Sequence, residues 1–541
     1  MFKKLVPSFI LSFVISFMIW IYEPIAMYIN NIEDLWFGLN TIIFPLLLIF
    51  IFTFIMLSGI FTLIYYLNNK YIKKIPIYKI ILVISFVCFF ASYIQGNFLA
   101  YNLPALDGTT INWNNYKTDN IISIILWIVI IIVTLILLKK CKFDKTINYF
   151  KYGSLIIFGM LFISFISLFL THDLSKLNKK AVIFTEDHIN DVSSDKNFFI
   201  FMVDSTDAVY FDDVLKSSEY KDTFKDFTFY KDTLSAYGFT RDSVPYIISG
   251  IWNENETDFT TYYNKAFDNS PLLDKLKENN YDINLYEMDN LWNTDKVDNI
   301  NNVSKENIKV GKRMFYKQEL KYNLYKYLPF FLKKYSRIED MDFNRCKNFY
   351  SYKFFNWNNK YMYDLFNNEK INKIDNKVFS FIHLEGAHVP FEIDENFNLV
   401  SNGTFEKKIL ATIKLTDAFL KRLKENNLYD NSVIIIMADH GYSFENQQGR
   451  QNPILLIKGI NEHHDMTYSD IPVSYEYLQD VYNDLLNDKK SNELFQNIDR
   501  SKPRRFLWYW LYGENHMVEY EQYGKAWDED TLKPTGKEFN R

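Results

Sequence analysis

The hydrophobic pattern divides this chain into two unlike parts. Apolar residues dominate the first 171 positions and gather in five runs, which fall at 5–28, 37–67, 77–99, 120–138 and 152–171. Each run is close to or longer than the ~20 residues that a helix needs to cross a bilayer. The pattern therefore predicts an α-helical membrane domain of five transmembrane helices over residues 1–171.

Lysines in the short loops between these runs predict the orientation of the helices. Lysine-bearing segments lie before the first run, between the second and third runs, and between the fourth and fifth runs. The two remaining loops, at 30–34 and 102–119, carry almost no net positive charge. The lysine-bearing segments hold Lys3, Lys4, Lys70, Lys73, Lys74, Lys139, Lys140, Lys142, Lys145 and Lys151. Short loops rich in Lys and Arg stay in the cytoplasm. We therefore expect a multi-pass cell-membrane protein whose chain after Thr171 is extracytoplasmic.

The second part of the chain reads as an α/β domain. Continuous apolar runs at 197–204, 377–383 and 432–439 are typical of central strands that helices cover on both faces. Helix-like stretches alternate with them, at 271–279, 312–335, 345–367 and 404–426. This alternation predicts a doubly wound α/β domain.

Three boundaries follow from the same pattern. A polar juxtamembrane connector is expected over 172–195 and the α/β domain over 196–503. Residues 504–541 contain aromatic runs that begin near Arg504 and Met517, which read as strands of a small C-terminal β appendage.

Charge and cysteine content exclude some classes of function. The net charge of -5 is spread over the second part, and its Lys and Arg residues do not form the basic stripe of a nucleic-acid-binding protein. We therefore expect no nucleic-acid partner. Of the three cysteines, only Cys346 lies in the second part, so this part has no internal disulfide framework.

Ionisable side chains stand at the ends of the three predicted strands. Asp204 ends the first strand, His383 and His388 accompany the second, and Asp439 and His440 end the third. In an open α/β sheet the ligand site lies beyond the carboxyl ends of the strands, so these groups should converge there. Carboxylates and an imidazole suit one divalent ion, which is Mn²⁺ or Zn²⁺, with Mg²⁺ as an alternative.

A hydroxyl-rich segment lies between the first two strands, around Thr240 and Ser243. A hydroxyl at a helix start lies beside unpaired backbone N–H groups, which stabilise a phosphate. Such a residue is alternatively a simple N-cap. We expect Ser243 to be the cap, with Pro245 in the first turn, which leaves Thr240 as a nucleophile activated by the metal.

Together these segments resemble the alkaline phosphatase/sulfatase superfamily, specifically its membrane-bound phosphotransferase branch. That branch contains phosphoethanolamine transferases, lipoteichoic acid synthases and cell-wall glycan glycerol-phosphate transferases. The resemblance covers most of the chain and rests on Asp204, Thr240-x-x-Ser243-Val-Pro245, His383-Leu-Glu-Gly-Ala-His388 and Ala438-Asp439-His440-Gly441. It implies an alkaline-phosphatase-like fold for the predicted α/β domain.

The resemblance also implies roles for single residues. Asp204, Thr240, Asp439 and His440 would bind the metal, with Thr240 as the nucleophile. His388 and His383 would contact the phosphate or protonate the leaving oxygen. The implied reaction moves a phospholipid head group, phosphoglycerol or phosphoethanolamine, to a cell-surface glycan or lipid.

Some features depart from that family pattern. Many phosphoethanolamine transferases carry a further histidine after Asp-His-Gly, whereas this chain has Arg450 in that region, which argues for one metal and makes Arg450 a candidate phosphate-binding residue. The Cys/Ser-x-Pro-x-Arg signature of sulfatases is absent near Thr240. An extracytoplasmic ester hydrolase and a non-catalytic surface protein with the same fold stay open as alternatives.

Overall fold

The computed structural model describes residues 2–32, 35–100, 103, 111–172, 183–287, 295–304, 309–348, 353–444, 449–509 and 516–540. Residues 173–182 of the predicted connector lie outside the described part of the chain, as do residues 510–515 of the aromatic tail.

The helices and strands are as follows. The α-helices are α1 Phe2–Phe17, α2 Glu23–Asn30, α3 Leu39–Lys70, α4 Ile77–Phe98, α5 Lys117–Thr171, α6 Ala208–Ser217, α7 Thr240–Ser249, α8 Phe259–Asp268, α9 Pro271–Glu278, α10 Lys312–Tyr327, α11 Asn359–Asn368, α12 Phe405–Glu425 and α13 Leu478–Leu486. The strands are β1 Ile183–Phe184, β2 Asp191–Ser193, β3 Asn197–Val203, β4 Thr228–Tyr230, β5 Thr233–Leu234, β6 Tyr281–Tyr286, β7 Val303–Ser304, β8 Lys309–Val310, β9 Lys347–Asn348, β10 Asn372–Ile374, β11 Lys377–Leu384, β12 Ser432–Met437, β13 Leu455–Lys458, β14 Thr467–Ser469, β15 Val473–Ser474, β16 Arg504–Tyr509, β17 His516–Gln522 and β18 Leu532–Asn540.

The chain forms two compact units. One, which we call the helical unit, comprises Met1–Lys180 and Ile308–Phe349; the other, which we call the sheet unit, comprises Ala181–Asn307 and Tyr350–Arg541. The predicted α/β domain over 196–503 includes residues that pack in the helical unit. Long-range contacts hold them there: the Trp36 indole donates a hydrogen bond to the Phe343 carbonyl at 3.0 Å.

Long apolar helices dominate the helical unit, as predicted. Within the described part of the chain, four helical segments are long and apolar enough to cross a membrane, namely Phe2–Asn30, Leu39–Lys70, Ile77–Phe98 and Trp113–Thr171. The prediction had five because it counted 120–138 and 152–171 separately. The polar stretch between them stays helical except at Lys142, whose φ is 61°.

The chain reverses direction within this last segment. The Thr146 hydroxyl donates to the Leu137 carbonyl at 3.1 Å, whereas residues nine apart in a straight helix are separated by about 13.5 Å. The fourth and fifth predicted spans are therefore two limbs of one broken helix, α5.

A mixed seven-stranded sheet forms the centre of the sheet unit. Its strand order is β14-β4-β13-β12-β3-β11-β6. The strands β6, β11, β3 and β12 are parallel, and β12 pairs antiparallel with β13. The doubly wound α/β prediction is confirmed, with this antiparallel part added on one side.

Alternate residues of the central strand face two separate cores. Phe198, Ile200 and Met202 belong to one buried cluster, which α7, α8, α9 and α13 complete. The intervening side chains of β3 belong to a second cluster, which α6, α11 and α12 complete. Burial on both faces is why the sequence of β3 is a continuous apolar run.

One local prediction needs correction. The expected helix at 345–367 exists only as α11, because Lys347–Asn348 form strand β9. The predicted C-terminal β appendage is present as a separate antiparallel sheet of three strands, β16-β17-β18. Its third strand lacks an apolar run, because most of its side chains are exposed.

Candidate metal and nucleophile site

Strand register brings the two predicted carboxylate ligands together. Met202 of β3 pairs with Met437 of β12 in a parallel ladder, and Asp204 and Asp439 each follow two residues later. Both carboxylates and the His440 ring are buried. One ligand atom from each of the three side chains lies within 4.8 Å of the others.

The donor atoms of these three side chains fit a divalent ion. Nδ1 of His440 lies 2.7 Å from the Gly441 carbonyl, to which it donates, so Nε2 is the nitrogen that could bind an ion. Oδ1 of Asp439 accepts from the Ser205 backbone N–H at 3.1 Å. Its Oδ2 accepts no hydrogen bond from any residue in the described ranges. Two carboxylates and one imidazole are ligands that Mn²⁺ and Zn²⁺ accept.

Thr240 lies beside this group. Its hydroxyl donates to Oδ2 of Asp204 at 3.3 Å. Thr240 is also the first residue of α7. It is partly exposed, whereas Asp204, Asp439 and His440 are buried. The first N–H groups of α7 have no partner within the helix, so an anion beside the Thr240 hydroxyl would be stabilised.

The structure corrects the predicted role of Ser243. Helix α7 begins at Thr240, and Phe239 in the N-cap position supplies no capping side chain. Ser243 is therefore inside the helix, and Pro245 falls in the second turn. The Ser243 hydroxyl instead donates to the backbone carbonyl of Asp439 at 2.6 Å, which ties α7 to the metal-ligand segment.

His383 lies between two carboxylates. The ring is fully buried, with Nε2 3.3 Å from Oδ2 of Asp204 and Nδ1 2.7 Å from Oε1 of Glu287. Burial alone would lower the pKa of His383, but Glu287 and Asp204 raise it to about 10. His383 donates from both nitrogens and so orients Asp204. Nothing in the sequence pointed to Glu287, which lies 96 residues before His383.

Histidines also control the charge of Asp204. Burial alone would raise the pKa of this carboxyl, but the charges of His388, His383 and His440 and the hydrogen bond from His383 hold it well below its usual range. Asp204 is therefore anionic.

His388 lies on a loop that a buried lysine holds. Nδ1 of His388 contacts the Val389 carbonyl at 2.5 Å, to which it donates, so Nε2 is the nitrogen available to a substrate. The Lys408 ammonium donates to the Glu385 carboxylate at 2.7 Å and to the His388 carbonyl. The Trp357 ring centroid lies 5.7 Å from the His388 ring centroid. Lys408 and Trp357 had no sequence signal.

Gly386 allows this loop to approach Asp204. Its φ is +55°, and a Cβ atom there would lie 2.4 Å from the Asp204 backbone nitrogen. The buried Asn359 side chain donates to the Gly386 carbonyl at 2.7 Å and accepts from its N–H at 3.0 Å. Only glycine fits this position.

Two arginines lie next to the nucleophile segment. The Arg450 guanidinium lies 4.8 Å from the ring centroid of Phe239, and Phe239 directly precedes Thr240. The Arg241 guanidinium lies 4.5 Å from the ring centroid of Tyr509 in β16. The structure thus places the predicted Arg450 near the site and adds Arg241, which the sequence analysis did not single out.

Comparison with known proteins identifies the family. The family model Sulfatase matches residues 196–469, just over half of the chain. This chain belongs to the sulfatase family. The predicted membership of the alkaline phosphatase/sulfatase superfamily is therefore confirmed, and with it an enzyme superfamily that uses a divalent metal.

Individual similarities are more limited. The chain is 39% identical over 69 residues to the lipoteichoic acid synthase-like protein YvgJ of Bacillus subtilis (strain 168), a match that spans 11% of each protein. Among solved structures, Ps i-CgsB in complex with k-i-k-neocarrahexaose is similar at 13% identity, 61% of this chain, 82% of that chain and a TM-score of 0.39. The C-terminal periplasmic domain of EcEptC from Escherichia coli is similar at 12% identity, 63% of this chain, 92% of that chain and a TM-score of 0.31.

Proposed function

We propose that this sulfatase-family protein moves a phospholipid head group, phosphoglycerol or phosphoethanolamine, to a hydroxyl of a cell-surface glycan or lipid. Thr240 would hold the group as a phospho-threonine. The observation that carries the proposal is the 3.3 Å hydrogen bond from the Thr240 hydroxyl to Asp204, which is itself a member of the buried Asp204, Asp439 and His440 group.

In the first half-reaction, Oγ of Thr240 attacks the phosphorus of the lipid and the hydroxyl proton leaves toward Asp204. A divalent ion held by Asp204, Asp439, His440 and Thr240 would lower the pKa of the hydroxyl and neutralise phosphoryl charge. The bond from phosphorus to the diacylglycerol oxygen breaks, and that oxygen takes a proton from Nε2 of His388. Diacylglycerol leaves, and the head group stays on Thr240.

In the second half-reaction, a hydroxyl of the acceptor attacks the same phosphorus. His388 takes the acceptor proton, and the bond from phosphorus to Oγ of Thr240 breaks. The proton that moved toward Asp204 in the first half-reaction returns to Oγ, which restores the threonine hydroxyl. Arg450 and the N–H groups at the start of α7 would stabilise the phosphoryl oxygens throughout.

The nucleophile distinguishes this proposal from sulfate-ester hydrolysis. The segment Ser243-Val-Pro245-Tyr-Ile lacks the Arg of the Cys/Ser-x-Pro-x-Arg signature of sulfatases, and no Cys lies near Thr240. The buried Cys346 belongs to the helical unit and not to the sheet unit that holds Thr240. The long apolar helices and the 69-residue similarity to a lipoteichoic acid synthase-like protein support a lipid donor.

Lipid turnover tests the proposal directly. Purified full-length protein with Mn²⁺ or Zn²⁺ is expected to release diacylglycerol from phosphatidylglycerol or phosphatidylethanolamine vesicles, measured by thin-layer chromatography or mass spectrometry. Phosphatidylcholine vesicles serve as a comparison donor. Efficient cleavage of soluble phosphate esters with every phospholipid left intact would replace the transferase proposal with a hydrolase.

The same proposal requires the sheet unit to face outward. Lysine alternation in the loops is the supporting observation. Alkaline phosphatase fused after residue 190 is expected to be active in cells. Green fluorescent protein serves as the cytoplasm-only reporter; fused at the same position and exported through the secretory pathway, it is expected to be dark. Activity of the cytoplasm-only reporter would overturn the predicted orientation.

A further inference from the structure

A buried carboxyl group of the helical unit, remote in sequence from the Asp-His-Gly site, accepts no hydrogen bond from the described residues. Glu319 on α10 is fully buried. Among the residues that the structure describes, none hydrogen-bonds to either of its carboxyl oxygens. A buried polar group without a partner costs about 1–3 kcal/mol, and more if it is charged. Such a group points to something else that binds there.

Glu23 is the acidic side chain whose charge acts on Glu319, and both of its own carboxylate oxygens have hydrogen-bond partners. It follows the π-helical turn Met18–Tyr22 and begins α2. Its carboxylate accepts from the Lys326 ammonium at 2.7 Å and from the Tyr327 hydroxyl. The ion pair with Lys326 neutralises Glu23, so Lys326 leaves no charge to compensate Glu319.

Other unpartnered atoms on the same helix are also acceptors. The Asn323 amide N–H groups donate to the carbonyls of Ile19 at 3.3 Å and Glu319 at 2.8 Å, which fixes the orientation of the amide. Oδ1 of Asn323 and Oε1 of Gln318 accept no hydrogen bond from the described residues. Asn323 lies four residues after Glu319 and therefore on the same face of α10. The missing partner must donate hydrogen bonds or carry positive charge.

The electrostatic surroundings favour positive charge. Glu319 interacts with Glu23, Tyr322 and Cys346, which are acidic or neutral groups. Burial, and then the charge of Glu23, hold the pKa of Glu319 well above its usual range. An ionised Glu319 would give the group of Glu23, Glu319 and Lys326 a net charge of minus one. One monovalent cation would neutralise it.

We propose that Glu319, with Asn323, binds one monovalent cation in the helical unit, either an alkali ion or a primary ammonium. This site is separate from the proposed reaction at Thr240 and does not depend on it. Divalent cations would leave an uncompensated positive charge in a buried place, which is costly.

Thermal stability of the full-length protein in nanodiscs tests the site. In three separate titrations, NaCl, KCl or ethanolammonium chloride replaces choline chloride in equal amounts, so that the ionic strength stays constant. Choline carries the charge but no N–H donors, so it cannot satisfy the acceptor oxygens. We expect a saturable rise in Tm with at least one of the three salts, and loss of that rise in Glu319→Gln.

Each outcome has a defined meaning. A response to Na⁺ or K⁺ assigns an alkali ion, and a response to ethanolammonium alone assigns an amine such as that of a lipid head group. Asp144→Asn removes one exposed carboxylate from the same unit and should keep the rise. The proposal fails if no salt raises Tm, or if Glu319→Gln responds like the unaltered protein. Binding of ²²Na⁺ or ¹⁴C-ethanolamine gives an independent readout.

Discussion

Alanine in place of Thr240 is expected to lower the rate of diacylglycerol release by about 10⁴- to 10⁶-fold, because removal of an attacking hydroxyl has effects of this size in other enzymes. The hydroxyl is the partly exposed member of a buried site and donates to Asp204 at 3.3 Å. Mass spectrometry of the peptide that contains Thr240 should show the head-group adduct in the unaltered protein and no adduct in the variant.

Two further variants make this result interpretable. Thr240→Ser keeps a hydroxyl at the start of α7 and is expected to retain turnover and to form an adduct. Thr261→Ala makes the same chemical change at an exposed position on α8, where the hydroxyl donates to the Asp258 carboxylate at 2.8 Å. It should behave like the unaltered protein. Substantial turnover by a folded Thr240→Ala protein would show that another group is the nucleophile.

Asparagine in place of Asp439 is expected to abolish stoichiometric metal binding. The change removes one negative charge and replaces a ligand oxygen, Oδ2, that no described residue satisfies. Loss of outer-shell partners alone weakens metal binding about 10–100-fold, so loss of a ligand should exceed that range. Isothermal titration calorimetry with Mn²⁺ and Zn²⁺ and elemental analysis after dialysis measure the effect.

Asp232→Asn is the matched control for this variant. Asp232 is also a buried carboxylate, but its partners are Arg504 at 2.9 Å and the Ala526 backbone N–H at 2.7 Å. Its loss should lower Tm because the buried Arg504 loses its ion partner. The metal content should stay at that of the unaltered protein. A protein with Asp439→Asn that still binds one equivalent of metal with unchanged affinity would contradict the ligand assignment.

Much of the candidate site was accessible from the sequence because it lies at strand ends. Asp204 and Asp439 each terminate a continuous apolar run, and parallel neighbouring strands carry such ends to one edge of the sheet. The Thr240 segment was found for a similar reason, since a hydroxyl near a helix start has a recognisable pattern. The role of Ser243 was wrong, because a helix boundary shifted by four residues, from an N-cap at Ser243 to one at Phe239, turns the predicted N-cap into an internal position.

The supporting residues could not be found in this way. Glu287 contacts His383 across 96 residues, and Lys408 reaches the His388 carbonyl from a helix 20 residues further along the chain. Neither belongs to a motif or a periodic pattern. Their positions depend on strand order and on how α12 packs on the sheet, which are properties of the folded chain.

Hydrophobic patterning by itself determined the long apolar helices and the central strands, because burial of apolar surface is local information that each segment carries in its own residues. The family resemblance came from the polar motifs at the strand ends and around Thr240. Tertiary structure alone decided that residues 309–348 pack with the apolar helices, that α5 breaks at Lys142, and that buried Glu319 accepts no hydrogen bond from any described residue. Each of these depends on which distant segments meet. The free energy of such contacts comes from both partners together, so neither segment shows it alone.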